Sequence, residues 1–399
     1  GSKAHKKEAE EEAEGQRAPM TAIVVVGATG NQGAAVLQHL FAYAQDKKEE
    51  GLKLYAVSRD VAGARAMQIS TVFAGVQTLQ ADMENQESLR AAFSKPREDG
   101  AKEVRVFVVT TPCLMSGGMV IDPVKETIVG CAMVDALKEA SVDHAVFSSV
   151  ANCDKDNSPE CVKSKKPIED HLKKSGLSYT ILRPVTMVEV WDRVHPITSG
   201  RVCGMVNGSV SMQWVSTMDV GAVAALSLLD PASRRGETID LCGDVTTGDE
   251  VAQAVSKMRG GEKFTYGVAW VTRIVVWLFA SLLFDERVRF PLEGGFKADT
   301  KPLEKISASY PACFKRQGPL TYARILLSGG MDKKRLPMSG GVGKALLQLV
   351  AGIAFVICAC YYLLPSSVFE DLKRRWAFYG LCLLGAAGLL LQAMSKGRA

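Results

Sequence analysis

Three glycines spaced at intervals of three residues are the first candidates for chemistry in this chain of 399 residues. Gly27, Gly30 and Gly33 stand at the end of an apolar run, residues 21–27, and precede a segment whose apolar residues have helical spacing, residues 34–42. A glycine loop between a buried strand and a helix lets the backbone approach a pyrophosphate, and the free N–H groups of the helix N-terminus then face the phosphates. The segment predicts a dinucleotide site with loop residues Gly27, Thr29, Gly30, Asn31, Gln32 and Gly33.

The residue that follows the second predicted strand distinguishes the two nicotinamide dinucleotides. An acidic residue at this position binds a free ribose 2′-hydroxyl, whereas an arginine accommodates a 2′-phosphate. The segment ends in Ser58, Arg59 and Asp60, so Arg59 comes first and we expect NADP(H). The alternative is that Arg59 is an exposed loop cation and Asp60 binds the ribose.

The elements that must position these residues alternate between apolar strands and helices. Strands are predicted over residues 21–27, 52–58, 76–81, 104–110, 144–149 and 179–182, and the helices between them include residues 123–140 and 167–174. This alternation is typical of an α/β fold with a doubly wound parallel sheet, the Rossmann arrangement. Ligands of such sheets bind in the crevice at the carboxyl ends of the strands.

Composition excludes several classes of protein. Hydrophobic residues make up 47% and charged residues 23% of the chain, which is too apolar for a disordered protein and too charged for one built mainly of membrane spans. The net charge of +5 is too small to indicate a nucleic-acid partner. The ten cysteines form no CxxC pair and have no His partner at metal-ligand spacing, so we expect no metal site, no disulfide framework and a reducing compartment.

Two uncharged apolar segments near the C-terminus, residues 345–364 and 376–394, have about the length that crosses a bilayer as a helix. We therefore predict a transmembrane helical hairpin within residues 329–399, with buried core helices as the alternative. The flanking Lys and Arg residues favour the cytosolic or matrix-like side for the globular domain. The chain begins with Gly1, which fits a processed mitochondrial or plastid protein and equally a chain trimmed at its start. An organelle inner membrane is the expected location.

Two further segments stand outside the predicted sheet. Residues 1–20 are rich in Glu and Lys and predict a charged, solvated arm. Residues 264–284 are long and apolar enough to span a membrane but carry Arg273 near the centre, where a charge is costly. We expect a helix of the substrate lobe that also touches the membrane surface, with a third span as the alternative.

Several motifs resemble the NmrA-like family of atypical short-chain dehydrogenases/reductases. They are the glycine loop at residues 27–33, Ser58-Arg59, Gln-Ala-Asp-Met at residues 80–83 and Thr-Ile-Leu-Arg-Pro at residues 180–184, and the likeness covers about residues 20 to 328. The resemblance implies a Rossmann domain that binds NADP(H), with a smaller C-terminal substrate lobe from residues 186–215 and 236–328. It also implies that Asp82 lies beside the adenine and that Thr110, Thr111 and Pro112 line the cofactor.

The wider superfamily uses a Tyr-x-x-x-Lys motif, in which the tyrosine is the general acid/base and the lysine lowers its pKa and holds the nicotinamide ribose. Cys161 stands here in the tyrosine's place, while Lys165 matches the lysine and Ser149 matches the family's active-site serine. Lys165 and Ser149 are the candidate catalytic residues. A structural thiol at Cys161 and a surface cation at Lys165 are the alternatives.

Two functions from different classes follow. In the first, the chain is a non-catalytic NADP(H)-binding protein that senses redox state or serves as an accessory subunit of a membrane protein complex, which resembles the NmrA-type regulators and the nucleotide-binding accessory subunit of respiratory complex I. In the second, it is an NADPH-dependent reductase of a lipophilic carbonyl, enone or quinone. The missing tyrosine, the hairpin and the charged arm favour the first.

Overall fold

A computed structural model of the chain describes residues 20–47, 51–110, 122–189, 197–198, 201–204, 207–258, 260–268 and 295–310. The chain divides into two units, Gly1–Ser339 and Gly340–Ala399, and every described residue belongs to the first.

A seven-stranded parallel sheet forms the centre of this unit. From edge to edge its strands are β11 (Thr238–Leu241), β6 (Tyr179–Pro184), β5 (His144–Ser148), β4 (Glu103–Val109), β1 (Thr21–Val26), β2 (Leu52–Ser58) and β3 (Gln77–Gln80). The chain moves outward from β1 to β3 and then returns to β4 on the other side of β1. The strand order reverses between β1 and β4, where such sheets bind ligands. The predicted doubly wound α/β fold is confirmed.

Helices cover both faces of this sheet. They are α1 (Asn31–Lys47), α2 (Ala64–Val72), α3 (Gln86–Glu98), α4 (Pro123–Glu139), α5 (Glu160–Lys163), α6 (Lys165–Lys174) and α7 (Thr217–Leu229). Strand β1 shows the layering: Ile23 and Val25 pack in a core cluster with residues of α1 and α7, whereas Val24 packs in a second cluster with residues of α3, α4 and α6. Since successive side chains of a strand point to opposite faces, a strand covered on both faces is apolar throughout.

A smaller lobe has its own core. Strands β7 (Thr186–Met187), β10 (Ser211–Val215) and β12 (Asp244–Thr247) form one three-stranded sheet, and β8 (Ile197–Thr198), β9 (Arg201–Gly204) and β13 (Thr265–Val268) form another. Helix α8 (Gly248–Met258) contributes Val251 and Val255 to a cluster that includes Trp214 and Phe264. The last described helix, α9 (Lys301–Ser309), places Leu303 in a core cluster of the main sheet.

Two expectations about this region are wrong. Residues 265–268 were expected in a helix but form β13, because the distant strand β9 supplies a parallel partner that no local pattern reveals. Residues 238–241 were expected in the substrate lobe but form β11, the edge strand of the main sheet, because they pair with β6.

Other predicted segments lie outside the described residues. They are the arm apart from Met20, residues 269–284 of the apolar segment, and both predicted spans, residues 345–364 and 376–394. Within the described ranges, no helix combines the length and the apolarity needed to cross a membrane.

Candidate cofactor site

A cleft of about 550 Å³ opens at the carboxyl ends of β1, β2, β4, β5 and β6. It lies at the crevice that the predicted topology assigns to a ligand. The predicted site residues that line it are Gly27, Thr29, Gly30, Asn31, Gln32, Gly33, Arg59, Asp82, Thr110, Ser149, Cys161 and Lys165. Thr111 and Pro112 lie outside the described residues.

The glycine loop has a conformation that larger residues do not fit. Gly27 has a φ of +68°, a left-handed conformation that side chains disfavour. A Cβ on Gly33 would lie 2.3 Å from the carbonyl oxygen of Gly27, so helix α1 packs directly against the turn that leaves β1. Helix α1 begins at Asn31 and its first residues line the cleft. The exposed backbone and the helix N-terminus together fit a pyrophosphate.

The loop after β2 places Arg59, and not Asp60, in the lining of the cleft. Arg59 is exposed and lines the cleft. Asp60 Oδ1 accepts a hydrogen bond from the N–H of Ala62 at 3.0 Å, and this bond closes the turn before α2. At the end of β3, Asp82 Oδ1 accepts the N–H of Glu84 at 3.0 Å while the residue borders the cleft.

Arg65 is a residue of this site that the sequence analysis missed. Its Nη1 donates to the carbonyl oxygen of Thr29 at 2.6 Å, which ties the first turn of α2 to the glycine loop. A second arginine six residues after Arg59 was the available signal. Nothing local showed that its side chain reaches back to the loop.

Lys165 lies at the floor of the cleft and is not a surface cation, since its side chain is only 7% exposed. Its Nζ lies 2.6 Å from Glu126 Oε1 and donates to the carbonyl oxygen and the Oγ1 of Thr110 at 2.7 and 2.6 Å. An ammonium has three N–H groups, and these contacts supply three acceptors. Burial lowers the pKa of Lys165, and the charge and hydrogen bond of Glu126 act in the opposite direction.

Glu126 is the second residue that the sequence analysis missed. Its fully buried carboxylate accepts hydrogen bonds from Thr110 Oγ1 at 2.9 Å and from Ser164 Oγ at 2.6 Å. An acidic residue at helical spacing from the apolar residues Val129 and Met133 of α4 was the signal, but its partner Lys165 is 39 positions away. The ion pair joins α4, α6 and the end of β4 under the cleft.

Ser149 belongs to a second buried network. Its hydroxyl donates to Glu169 Oε1 at 2.6 Å, and Cys153 Sγ donates to the same oxygen at 3.3 Å. Arg183 binds both oxygens of Glu169, with Nε 2.9 Å from Oε1 and Nη2 2.7 Å from Oε2. Burial raises the pKa of Glu169, but the hydrogen bonds from Arg183 and Ser149 outweigh it and hold the pKa below its usual value. The carboxylate is therefore ionised at neutral pH.

Two cysteines near the cleft, Cys161 and Cys153, differ in their burial. Cys161 is half-buried on α5 and lines the cleft four residues before Lys165. Cys153 is buried, and burial together with the charge of Glu169 raises its pKa to about 12. A thiol with such a pKa is not a nucleophile at neutral pH.

The sheet order, the glycine loop at the switch point and the helix N-terminus that faces it define a dinucleotide-binding protein of the Rossmann class. Residues 19–273, more than half of the chain, match the NmrA-like family, and the chain belongs to that family.

Two relatives show partial likeness. Prestalk A differentiation protein A of Dictyostelium discoideum is 30% identical over 160 residues, which are 39% of this chain and 47% of that protein. Photosystem II assembly factor Ycf39 of Cyanophora paradoxa is 23% identical over 212 residues, which are 52% of this chain and 59% of that protein. The chain spans about half the length of the curated relatives it matches.

Three solved structures share the fold. An NADPH-dependent quinone oxidoreductase of Escherichia coli has a TM-score of 0.55 at 20% identity, over 76% of this chain and 99% of that one. A Citrobacter triphenylmethane reductase complexed with NADP(H) has a TM-score of 0.56 at 19% identity, over 78% and 100%. NmrA, a negative transcriptional regulator in complex with NAD, has a TM-score of 0.55 at 16% identity, over 79% and 99%. At these identities the likeness shows the fold alone.

Proposed function

We propose that the chain binds NADP(H) in the cleft and acts as a redox-sensing or accessory subunit of a membrane protein complex in an organelle, rather than as a reductase. One observation carries this proposal. The cleft has a complete dinucleotide cradle, while the two candidate proton-handling groups, Lys165 and Ser149, are engaged by buried carboxylates.

Binding rests on the glycine loop and on Arg59. The loop offers backbone N–H groups to a pyrophosphate, and Arg59 lines the cleft where a 2′-phosphate would lie. Structures of the same fold have been described in complex with NADP(H) and with NAD. These observations support NADP(H) as the ligand.

The proposal of a non-catalytic role rests on the proton donors. A general acid must reach the substrate by a hydrogen bond. Ser149 donates its proton to Glu169, and the three N–H groups of Lys165 are taken up by Thr110 and Glu126. Cys161 replaces the tyrosine that would otherwise serve.

A subunit role is supported by the relatives and by the surface. One relative is named as a photosystem II assembly factor, and one structure of the same fold is a transcriptional regulator. On α4, Val124 and Ile128 are 70% and 63% exposed and lie four residues apart on one side of the helix. Together with the predicted hairpin, this apolar side suits a partner protein in a membrane.

The second candidate is an NADPH-dependent reductase of a lipophilic carbonyl, enone or quinone. The half-buried thiol of Cys161 lines the cleft and favours this candidate, as does the shared fold of a quinone oxidoreductase and a dye reductase. When bound, NADPH would supply the hydride, and the chain would have to supply the proton.

Purified full-length chain in mild detergent tests these proposals. Native migration inside a large complex, saturable NADPH binding and no NADPH oxidation with quinones, enones or aldehydes support the subunit role. A free monomer that oxidises NADPH contradicts it. Arg59→Asp must remove the preference for NADPH over NADH, whereas Arg90→Asp on the outer surface of α3 is the matched control and must not.

A further inference from the structure

A second cavity, of about 460 Å³, lies between β11 and α9. Its walls include Thr238 at the first residue of β11, while Thr180 near the start of the neighbouring strand β6 holds the carbonyl oxygen of Arg234 at 2.8 Å. The cavity therefore lies at the amino edge of the main sheet. The cofactor cleft lies at the opposite, carboxyl edge, so the cavity is separate from it.

Arg234 is the unusual residue of this cavity. Only 7% of the residue is exposed, and its guanidinium lies 5.7 Å from the centre of the Tyr310 ring. In the described part of the chain, the guanidinium makes one hydrogen bond, from Nη1 to Ser233 Oγ at 2.8 Å, and no carboxylate forms an ion pair with it. A guanidinium carries five N–H donors, and a buried charge is costly unless an opposite charge accompanies it. An anion is therefore the missing partner.

The surroundings increase the positive potential at this edge. Lys305 projects from α9 into the lining of the same cavity, and Arg235 follows Arg234 in the chain. Burial, and then the charges of Arg105 and Arg235, lower the pKa of nearby His144 to about 4. Thr180 links the two places, since its hydroxyl also lies 3.3 Å from His144 Nε2. The exposed carboxylate of Glu237, at the rim, is the opposing charge in the lining.

We propose that this cavity is a second ligand site, which binds the phosphoryl group of a small phosphomonoester through Arg234 and Lys305. A phosphomonoester carries nearly two negative charges and three acceptor oxygens. The hydroxyls of Ser233 and Ser309 donate to backbone carbonyl oxygens. Two cations and the hydroxyls of Thr238 and Tyr310 remain in the lining, and they match the three oxygens of a phosphoryl group better than they match one carboxylate. Ile239 and Ile306 supply an apolar wall for the organic part, and Glu237 is placed to accept a ligand hydroxyl.

Phenyl phosphate is a suitable probe, titrated calorimetrically into the full-length chain with and without saturating NADPH. We expect saturable binding in both conditions, because the cofactor cleft is separate. Arg234→Gln is expected to weaken binding about tenfold or more, since hydrogen bonds to charged groups are lost. Arg235→Gln, at the neighbouring exposed arginine outside the lining, is the matched control and is expected to weaken binding much less than Arg234→Gln, because it removes a nearby charge but no contact with the ligand.

Four results overturn the proposal: no saturable binding, loss of binding when NADPH is present, equal affinity of Arg234→Gln and the unaltered chain, or equal affinity for phenylacetate. If Arg234→Gln does not fold, Lys305→Glu decides, because Lys305 is exposed on α9. This variant is expected to keep the melting temperature of the unaltered chain and to lose the binding of phenyl phosphate. Retained binding in a folded Lys305→Glu chain contradicts the site.

Discussion

Lys165 Nζ and Glu126 Oε1 lie 2.6 Å apart, with side-chain exposures of 7% and 0%. The pair joins α4 to α6, and Thr110 at the end of β4 binds both partners. Because the pair is buried at the floor of the cleft, Lys165, which the sequence offers as a catalytic candidate, also holds the cleft together. Its contribution to stability can be separated from a contribution to cofactor binding.

Glu126→Gln is expected to destabilise the fold strongly. The substitution leaves the Lys165 ammonium buried without a counter-charge, which typically costs about 3–5 kcal/mol. The free energy of unfolding from urea titrations at pH 7 measures this loss. Lys166→Met is the matched control: Lys166 pairs with Asp170 on the partly exposed side of the same helix, so its loss is expected to cost less than about 1 kcal/mol.

The double variant Glu126→Leu/Lys165→Met completes this test. Removing both charges is expected to restore much of the stability that Glu126→Gln loses, because no unpaired charge remains. The single variant Lys165→Met gives the contradicting outcome. If it keeps the full free energy of unfolding but loses affinity for NADPH, Lys165 acts on the cofactor and the structural role is wrong.

Gly33→Ala is expected to impair both folding and cofactor binding. The added Cβ would lie 2.3 Å from the Gly27 carbonyl oxygen, and backbone must move to relieve that contact. Overpacking of this kind costs about 1–3 kcal/mol. Gly30→Ala is the milder comparison, since its Cβ would lie 3.1 Å from the same oxygen. Thermal unfolding and NADPH titration of both variants measure the difference, and an equal loss in the two contradicts the packing argument.

Arg65→Ala is expected to weaken NADPH and NADH binding by similar factors, of about tenfold. Arg65 donates to Thr29 in the glycine loop, which we expect both cofactors to contact, whereas Arg59 is proposed to contact the 2′-phosphate that only NADPH carries. Fluorescence titration of each cofactor with each variant distinguishes the two roles. A selective loss of NADPH in Arg65→Ala would assign Arg65 to the 2′-phosphate instead.

The central strands of the main sheet were predictable because they are buried on both faces. Residues 22–26 of β1 are a continuous apolar run, and the structure places β1, β2 and β5 within one residue of the limits that the sequence predicts. The strands of the small lobe were not predictable in the same way. Strand β13 has four residues and depends on pairing with β9, more than 60 positions earlier in the chain. Short strands with distant partners leave little local signal.

The candidate site shows the same difference between features with a local sequence signal and features that depend on distant residues. The glycine loop is local, so its residues could be named from their spacing. The partners of Lys165 and Ser149 are distant in the chain, and the sequence does not show that Glu126 or Glu169 is buried beside them. Consequently the sequence indicates many of the residues that line the cleft but not the hydrogen bonds that they make.

His144 is expected to make the fold less stable in mild acid. Burial, followed by the charges of Arg105 and Arg235, lowers its pKa from 6.5 to about 4. The unfolded chain therefore binds a proton near pH 6.5, whereas the folded chain binds it only near pH 4. Stability from this residue is complete above pH 6.5 and is lost as the pH falls toward 4, with a total of about 3 kcal/mol at most.

Urea unfolding between pH 7 and pH 4 measures this effect in the unaltered chain and in His144→Gln, whose amide does not titrate. The variant is expected to be less stable at pH 7 but to have a flatter dependence on pH, since the ring that resists protonation is gone. His171→Gln is the control, because His171 is only partly buried on α6 and contacts Asp135. Equal slopes for the unaltered chain and His144→Gln would show that the His144 ring does not resist protonation in the folded state, and the acid sensitivity would then belong to other groups.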